Sequence, residues 1–451
     1  MTVRDVIVIG GGPAGVAAAA ELGRAGLEVT LCEQGSALGG AIHRQAGNPS
    51  SSVHVPSAQS ARWRRLQAAL AATKAEILAR HAFAGLDGTG AVLIEDRGRG
   101  RVVSMRAKAL VLAVGGLERV VPRPGWHLPG VMTAGGMQLM MKATGRAPAG
   151  AVLLAGSGPL LLAVAAQMTA LGNPPVAILE RSRRVLSPLR AARLLLRPAY
   201  VAEAAGYMAR LFQAGVPWRL GATLQALRPT GVGRLEAVIV DAAGAESRVT
   251  VDKVALHDGL RSSSDRLPVA AAGRDGQPLV VMAGDCREAL GGLAAIADGR
   301  KAAHDVIAQL LGGAPDSIAD NQVIDGERQA QRTLAGLFDF GSSDLSTLPD
   351  DTILCQCEGR TVGDLKRLLA SDDRPSPREV KLNGRFGMGA CQGRFCVEWA
   401  GVLMAQPTGG PQPSAADFAG RRWPMRPLAI TSLLDAVADD ATPPAPSEES
   451  D

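Results

Sequence analysis

DVIVIGGGPAGVAAAAELGRAGLEVTLCEQ, residues Asp5 to Gln34, reads as strand, glycine turn, helix and second strand in unbroken order. The apolar run from Val6 to Ile9 has the composition of a buried parallel strand, and Gly10, Gly12 and Gly15 supply a G-x-G-x-x-G turn before an alanine-rich helix. Gly10 permits the tight turn, Gly12 lets a pyrophosphate approach the backbone at the positive end of the helix, and Gly15 allows the helix to pack closely on the strand. Glu33 ends the next strand, Val29 to Cys32, where a carboxylate can take both hydroxyls of an adenosine ribose. A glycine fingerprint alone is weak evidence; strand, turn, helix, strand and acid in order specify a dinucleotide site in an α/β fold.

A distant segment, LVVMAGDCREALGGLAAIADGRKAAHDV, bears on which dinucleotide is bound. Its strand ends in Ala283-Gly284-Asp285, and Gly291-Gly292 opens a helix. This resembles the second flavin motif of two-dinucleotide-binding flavoproteins. The resemblance implies that Asp285 holds the ribityl chain and that the helix beginning at Gly292 points its N-terminus at the flavin pyrimidine, where its dipole favours the charge of reduced flavin. FAD is therefore expected at the first site in preference to NAD. Leu38-Gly39-Gly40 and the strand ALVLAVGG also match that family, although Val114-Gly115 replaces its usual ATG ending.

Between these segments, AVLLAGSGPLLLAVAAQMTALG followed by VAILER forms a second, imperfect unit of the same kind. Gly156 and Gly158 occupy the first two glycine positions, but Leu161 stands at the third. A large side chain at such a contact costs about 1–3 kcal/mol unless the helix moves outward, where it would present its amides to a phosphate less well. Glu180 suits a ribose diol, whereas Arg181, Arg183 and Arg184 suit a phosphate. Productive NAD(P)H use, another adenine nucleotide such as ATP, and an empty structural relic stay open at this site.

The four cysteines near the C-terminus are arranged as C-x-C, Cys355 and Cys357, and far downstream as C-x-x-x-x-C, Cys391 and Cys396 within GACQGRFCVEW. Four thiolates can hold zinc or an iron–sulfur cluster. C-x-C is short for the usual zinc-ligand pair. It places two thiolates close together across a tight turn, while C-x-x-x-x-C wraps a loop around the second iron of a two-iron cluster. Gly384, Gly387, Gly389 and Gly393 let backbone amides approach the sulfurs, and such hydrogen bonds help set cluster potential. A zinc staple or unpaired buried cysteines are the alternatives; a disulfide is disfavoured because nothing resembles a secreted chain. The segment from Thr352 to Leu403 resembles the small helical [2Fe-2S] domain of bacterioferritin-associated ferredoxin through all four cysteines, the helix-like VGDLKRLLA and the glycine-rich loop.

At 451 residues the chain suits two or three domains. The expected fold class is α/β, a flavoprotein of two Rossmann-like domains, the second inserted in the first, plus a small helical [2Fe-2S] domain. We expect an FAD-binding domain over 1–120 and 269–312, an inserted NAD(P)-like domain over 121–268, a linker over 313–350, the [2Fe-2S] domain over 351–405, a C-terminal arm over 406–441 and a disordered tail over 442–451. The net charge of +5 comes from scattered arginines, and with 3% aromatic residues there is no basic, aromatic-laced stripe for nucleic acid. The first strand begins almost at once, no signal peptide is expected, and no apolar run is long enough to span a bilayer. A cytoplasmic location is expected, with peripheral membrane association left open.

Disulfide reductases of this flavoprotein class need a C-x-x-C pair beside the flavin, and none exists here. Cys32 is expected to be an apolar filler. Cys286 follows Asp285 and is either a small buried residue, the reading its type favours, or a neighbour of the flavin. His43 and Arg44 either border the flavin or lie in a solvated loop. No His, Ser or carboxylate constellation marks a substrate acid–base site, so catalytic residues are left unassigned.

Taken together, the chain resembles the FAD- and [2Fe-2S]-containing alpha subunits of heteromeric bacterial amine dehydrogenases, which include opine oxidases, D-hydroxyproline dehydrogenase, archaeal-type proline dehydrogenase and hydrogen cyanide synthase. Gly10, Gly12, Gly15, the block PGWHLPGVMTAGG from Pro124 to Gly136, Gly284-Asp285 and the four cysteines carry the likeness. It implies FAD near Gly10, Gly12, Gly15, Glu33, Gly40, Gly115, Gly284, Asp285 and Gly292, and Cys355, Cys357, Cys391 and Cys396 as cluster ligands. It also implies a beta flavoprotein subunit that oxidises the carbon–nitrogen bond, a small iron–sulfur gamma subunit, and room for FMN at a subunit interface. A self-contained NAD(P)H-dependent reductase and a non-catalytic redox or iron sensor are the competing functions.

Overall fold

Strand β1 (Val3–Ile9) is apolar on both faces over its second half, which forces it into the middle of a sheet. The computed structural model describes residues 3–44, 57–188, 192, 194, 197–231, 233–268, 276–314, 316–338, 345–370, 374–407, 409–420, 423–434 and 437–438. Val6, Ile7 and Val8 have no exposed surface, and burying each such side chain contributes about 1.5–3 kcal/mol. β1 runs parallel to β2 (Val29–Glu33), which pairs in turn with β3 (Glu76–Ala79). Three further strands, β4 (His81–Leu86), β5 (Val92–Asp96) and β6 (Arg101–Leu112), make an antiparallel meander. β6 serves both parts of this sheet. Its first residues pair with β5, and its last pair in parallel with β1 on one side and with the strand Leu279–Met282 on the other.

Helix α1 (Pro13–Arg24) starts with Gly12 at the N-cap and Pro at the first turn. Its alanines and glycines allow contact at backbone distance. A Cβ on Gly15 would lie 1.8 Å from the Gly10 carbonyl oxygen, and one on Gly299 would lie 2.1 Å from that of Ala14. The helix Gly292–Leu311 therefore presses directly on α1, and the two share a core with Val6, Val8, Leu31 and Trp63.

The second unit repeats the first. A five-stranded parallel sheet runs in the order Trp218–Leu220, Ala177–Glu180, Val152–Gly156, Lys253–His257, Val131–Thr133, accompanied by a three-stranded antiparallel sheet. The chain leaves the first unit through Gly116–Glu118 and returns through Leu260–Ser262, and these two crossovers pair antiparallel.

The described residues within 345–419 form a third unit of short helices and a two-stranded ribbon around Trp399, Phe386 and Phe418. Three of its helices begin with capping boxes, Thr361 with Asp364, Ser376 with Glu379 and Ser414 with Asp417. The unit rests on the crossovers. Trp399 Nε1 donates to the Val120 carbonyl at 2.9 Å, and Trp126 Nε1 donates to the Ile353 carbonyl at 2.6 Å. Glu398 faces one arginine from each crossover, Arg119 at 2.6 Å and Arg261 at 3.6 Å. Arg119 also lies 4.5 Å over the Trp399 ring.

The stretch expected as a linker is instead largely helical. Ile318–Leu337 buries Asp320, Ile324, Glu327, Ala330 and Leu334, a helical stripe that its polar composition disguises, and it packs on Gly292–Leu311. Beyond the third unit the chain returns to the first sheet. The Met425 amide donates to the Ala84 carbonyl, and Val437–Ala438 pairs with β6. The tail expected to be disordered, 442–451, lies outside the described residues. Among the described residues, no helix is long and apolar enough to cross a membrane.

Replacing a glycine inside a helix by alanine ordinarily stabilises it by about 0.5–1 kcal/mol. At Gly299 the sign should invert, because the methyl meets the Ala14 carbonyl. Gly299→Ala is expected to destabilise the chain by about 1–3 kcal/mol, read as a lower urea midpoint at unchanged m-value.

Candidate functional site

The carboxyl ends of the first sheet open into a cavity of about 660 Å³, within the range of ligand sites. Gly10, Gly12, Glu33, Gly40, Gly115 and Asp285 all line it. Gly15, Gly284 and Gly292 stand behind the wall. Gly15 keeps α1 on the turn, Gly284 takes φ +73° with Ala14 2.7 Å from where its Cβ would be, and Gly292 faces Ile42.

The turn offers room and donors. No side chain caps α1 and its first turn carries no acid, so its amides are available to an anion. A Cβ on Gly12 would meet only the Gly40 Cα, at 3.8 Å, and Gly115, at φ +78°, has nothing within 4 Å of that position. Glu33 is fixed by two backbone amides, Gly11 to Oε2 at 2.7 Å and Gly35 to Oε1 at 2.6 Å. Asp285 is held through Oδ1 by the amides of Leu290 and Gly291, at 3.1 and 3.0 Å. Burial raises its pKa against the pull of those amides. These features suit a dinucleotide carrying a flavin: an open cradle at a helix N-terminus, an acid at the end of β2 and a second acid beside Gly116.

Cys286 next to it is a closed thiol. It donates to the carbonyls of Leu112 and Ala283, and burial pushes its pKa up to about 11. Cys32 is buried in the strand core and has no cysteine neighbour in sequence, so neither cysteine belongs to a C-x-x-C dithiol. Arg44 lines the cavity, whereas His43 stacks on Trp63, with ring centroids 4.7 Å apart. Burial, with Lys142 and Arg62 nearby, lowers the His43 pKa to about 4, so the ring is neutral at pH 7.

Lys142 joins the site without any sign in the sequence. It lies in the helix Ala134–Thr144, is buried, and donates to the carbonyls of Ala41 and Ile42 at 3.1 and 3.0 Å and to Gln138 at 3.3 Å. It thereby ties the second unit to the loop that follows Gly40 along the cavity wall. A lone lysine at the end of an apolar helix gives no signal of this kind. Arg261, Arg266, Arg394 and Arg426 also line the cavity, and scattered arginines are equally silent in sequence.

In the second nucleotide fold, Glu180 accepts from Ser157 Oγ at 2.6 Å, the Gly158 amide at 2.9 Å and the Ser182 amide at 2.8 Å. Burial still raises its pKa. Leu161 is fully enclosed with Ala134, Met137 and Val164, so this fold accepts a leucine where the first admits no Cβ at all. Arg181 reaches toward Asp258, 3.9 Å away, and Arg183 runs its stem beneath Gly221.

The four cysteines come within electrostatic reach of one another: Cys396 feels both Cys355 and Cys391, and Cys357 feels both Cys391 and Cys355. Cys355 and Cys396 are buried; Cys357 is exposed and Cys391 partly so, and Cys391 lines the cavity. Backbone amides point at the sulfurs: Gly387 toward Cys355 and Cys396, Glu358 toward Cys355, and Cys391 toward Cys357. The Cys396 thiol and these amides draw the Cys355 pKa down to about 6, while Cys396, beside Cys355 and buried, is pushed up. Among the described residues no three His, Cys, Asp or Glu side chains converge on one point that would hold a metal ion. Thiols, amide donors and glycine clearance are what an iron–sulfur ligand set requires.

Two nucleotide folds joined by paired crossovers, with an open cradle at the first, define a flavin-dependent oxidoreductase. The chain belongs to the pyridine nucleotide-disulphide oxidoreductase family, whose model matches residues 4–298. It is a FAD-dependent oxidoreductase. A subunit of opine oxidase from Agrobacterium tumefaciens (strain Ach5) is 30% identical, over 95% of this chain and 91% of that protein. Hydrogen cyanide synthase subunit HcnB of Pseudomonas protegens is 29% identical, over 95% and 97%. L-proline dehydrogenase from P. horikoshii has a similar fold, with TM-score 0.66 and 18% identity over 96% of this chain and 79% of that one.

Lys142→Met should lower FAD retention about tenfold, measured as flavin fluorescence released on dilution, because two carbonyls of the cavity loop lose their donor. The pH dependence has a definite sign. Burial holds the Lys142 pKa at about 8, below its ordinary 10.5, so its charge imposes a stability cost that stands in full below pH 8 and is relieved as pH rises to 10.5. Over that window urea unfolding should show wild type gaining on Lys142→Met.

Proposed function

We propose that this chain is the electron-transferring FAD and iron–sulfur subunit of a heteromeric dehydrogenase or oxidase acting on the carbon–nitrogen bond of an amino acid or opine. The substrate would be oxidised on a partner flavoprotein subunit. The observation that carries this is one shared cavity: Gly10, Glu33 and Asp285 line it, and so do Ala390, Cys391, Gln392 and Gly393. A flavin held in the cradle and a cluster held by the cysteines would be neighbours across that space. The likeness over nearly full length to the opine oxidase chain and to HcnB, both named as subunits, supports a multi-subunit assembly.

In this reading Glu33 orients the adenosine ribose, the α1 amides after Gly12 hold the pyrophosphate, and Asp285 holds the ribityl chain. The helix from Gly292 sets its positive end toward the flavin ring. Cys355, Cys357, Cys391 and Cys396 hold a [2Fe-2S] cluster, and the Gly387 and Cys391 amides raise its potential by stabilising charge on sulfur. When bound, the flavin supplies the adapter chemistry, since it exchanges electrons in pairs or singly whereas an iron–sulfur centre moves one at a time. Two features fit a relay rather than a site of substrate chemistry: the sequence holds no C-x-x-C dithiol, and the enclosed Leu161 at the third glycine position disfavours hydride delivery from the Gly156 site.

The test is anaerobic stopped-flow absorbance on the purified chain, mixed separately with NADH, NADPH, proline, D-hydroxyproline, glycine or opines. No flavin bleaching is expected until the partner flavoprotein subunit is added. Turnover of an amine by the chain alone would end this division of labour, and bleaching by NADH or NADPH within seconds would favour a self-contained reductase.

A further inference from the structure

Glu33, at the end of β2, pairs with Ala79 of β3, and the chain turns there into β4, the Arg80 amide donating to the Gly35 carbonyl at 2.8 Å. His81 and Phe83 of β4 then line the same cavity as Glu33. This is the end of the cradle at which an acid meets an adenosine ribose.

The C-terminal arm is fastened to this same strand. A Cβ on Gly85 would lie 2.4 Å from the Trp423 Cβ, so the arm crosses β4 where there is no side chain to hold it off. The Met425 amide donates to the Ala84 carbonyl at 2.8 Å. Met425 packs against the cluster that holds Phe83, Ile94 and Val103, and Leu428 against the one that holds Ala84, Leu93 and Val102. Neighbours along a strand point to opposite faces, so the arm grips both faces of the meander. Between these anchors, Met425, Arg426 and Pro427 line the cavity.

Arg426 is the charged residue of that stretch. Its Nε is buried and, among the described residues, has no hydrogen-bond partner. Burial lowers its pKa, and Arg97 and Arg394 add to this against the opposing pull of Glu95. A guanidinium keeps its charge in a protein all the same, and it carries only donors. Arg97 and Arg394 line the cavity as well. The Arg97 amide donates to the Arg80 carbonyl at 2.9 Å, at the adenosine end. The Arg394 carbonyl accepts from Arg261 at 2.8 Å, on the crossover that pairs with Gly116 beside Asp285, at the flavin end. The acids of the cavity are engaged elsewhere: Glu33 and Asp285 by backbone amides, Asp265 by Arg261 at 2.5 Å. A dinucleotide laid along such a cavity carries its diphosphate between the two ends, and in oxidised FAD the diphosphate is the anionic part.

We infer that the C-terminal arm is a wall of the FAD site and that Arg426 is the cation it sets toward the diphosphate, adding a full charge to the amides that α1 offers there. This rests on FAD occupying the cradle. The cofactor is then held from both ends of the chain.

Release of FAD on dilution, followed as the rise in free-flavin fluorescence, tests this on the full chain at low and at high salt. At low salt Arg426→Ala should release FAD about tenfold faster than wild type, and the difference should shrink as salt screens the wild-type contact. Arg426→Lys, which keeps the charge, should fall between the two. Arg99→Ala, which removes an exposed arginine from the β5–β6 turn, should match wild type. Release from Arg426→Ala at the wild-type rate, or faster by the same factor at every salt concentration, would overturn the inference, as would an Arg426→Lys chain no better than the alanine one. Should alanine at 426 prevent folding, Arg426→Gln, of similar shape near the backbone, takes its place in the same comparison. Gly12→Val, which fills the cradle, should lose FAD at either salt concentration; if it retains FAD, the cradle reading itself falls, and a chain that loses FAD through Gly12→Val but not through Arg426→Ala refutes the role of the arm alone.

Discussion

Everything in the first unit depends on two places where backbone meets backbone without a side chain between. One is the turn, where Gly15 lies under the Gly10 carbonyl; the other is the helix contact of Gly299 on Ala14. The first sets how far the start of α1 stands from the end of β1, and so where its free amides point. The second holds the helix that begins beside Asp285 against α1, and so fixes the distance between the two halves of the cavity. Ala18, Ala19 and Ala20 belong to the core these helices share, where small side chains let them approach. The chemistry of the site is thus a consequence of packing: the cradle is open because the elements around it are closed.

The second nucleotide fold is instructive because it keeps the architecture and alters the seam. Its strand order and meander follow the first, and Glu180 takes the place of Glu33 with a similar set of donors. A leucine fills the position that glycine holds in the first, and the helix is accommodated by a separate apolar cluster. A fold can therefore survive the loss of the contact that aims its helix at a ligand. The family to which the chain belongs carries disulphide chemistry in its name, yet this sequence holds no C-x-x-C dithiol, and Cys286 is buried as a weak donor to two carbonyls.

Much of this was legible in the sequence, for a physical reason. The β1–α1–β2 unit announces itself through short-range periodicity and glycine spacing, and both describe contacts among neighbours in the chain. Gly10, Gly12, Glu33, Gly40, Gly115 and Asp285 do meet at one cavity. The misses have the opposite character. The helix Ile318–Leu337 reads as a linker because its buried stripe includes Asp320 and Glu327. Asp320 is paired with Arg300 and Glu327 with Tyr200, partners that spacing cannot reveal. Lys142 matters through carbonyls about a hundred residues away.

The seating of the third unit on the crossovers makes modularity the wrong picture of this chain. A version cut before Leu345 would be no smaller flavoprotein. It would leave the Trp126 indole without its acceptor and Arg119 and Arg261 without Glu398, and it would uncover Val121, on the segments that connect the two nucleotide folds. Each orphaned polar group costs about 1–3 kcal/mol where it stays buried, a large share of a domain's whole stability. What looks in sequence like an appended ferredoxin-like segment is, mechanically, the keystone between two arches.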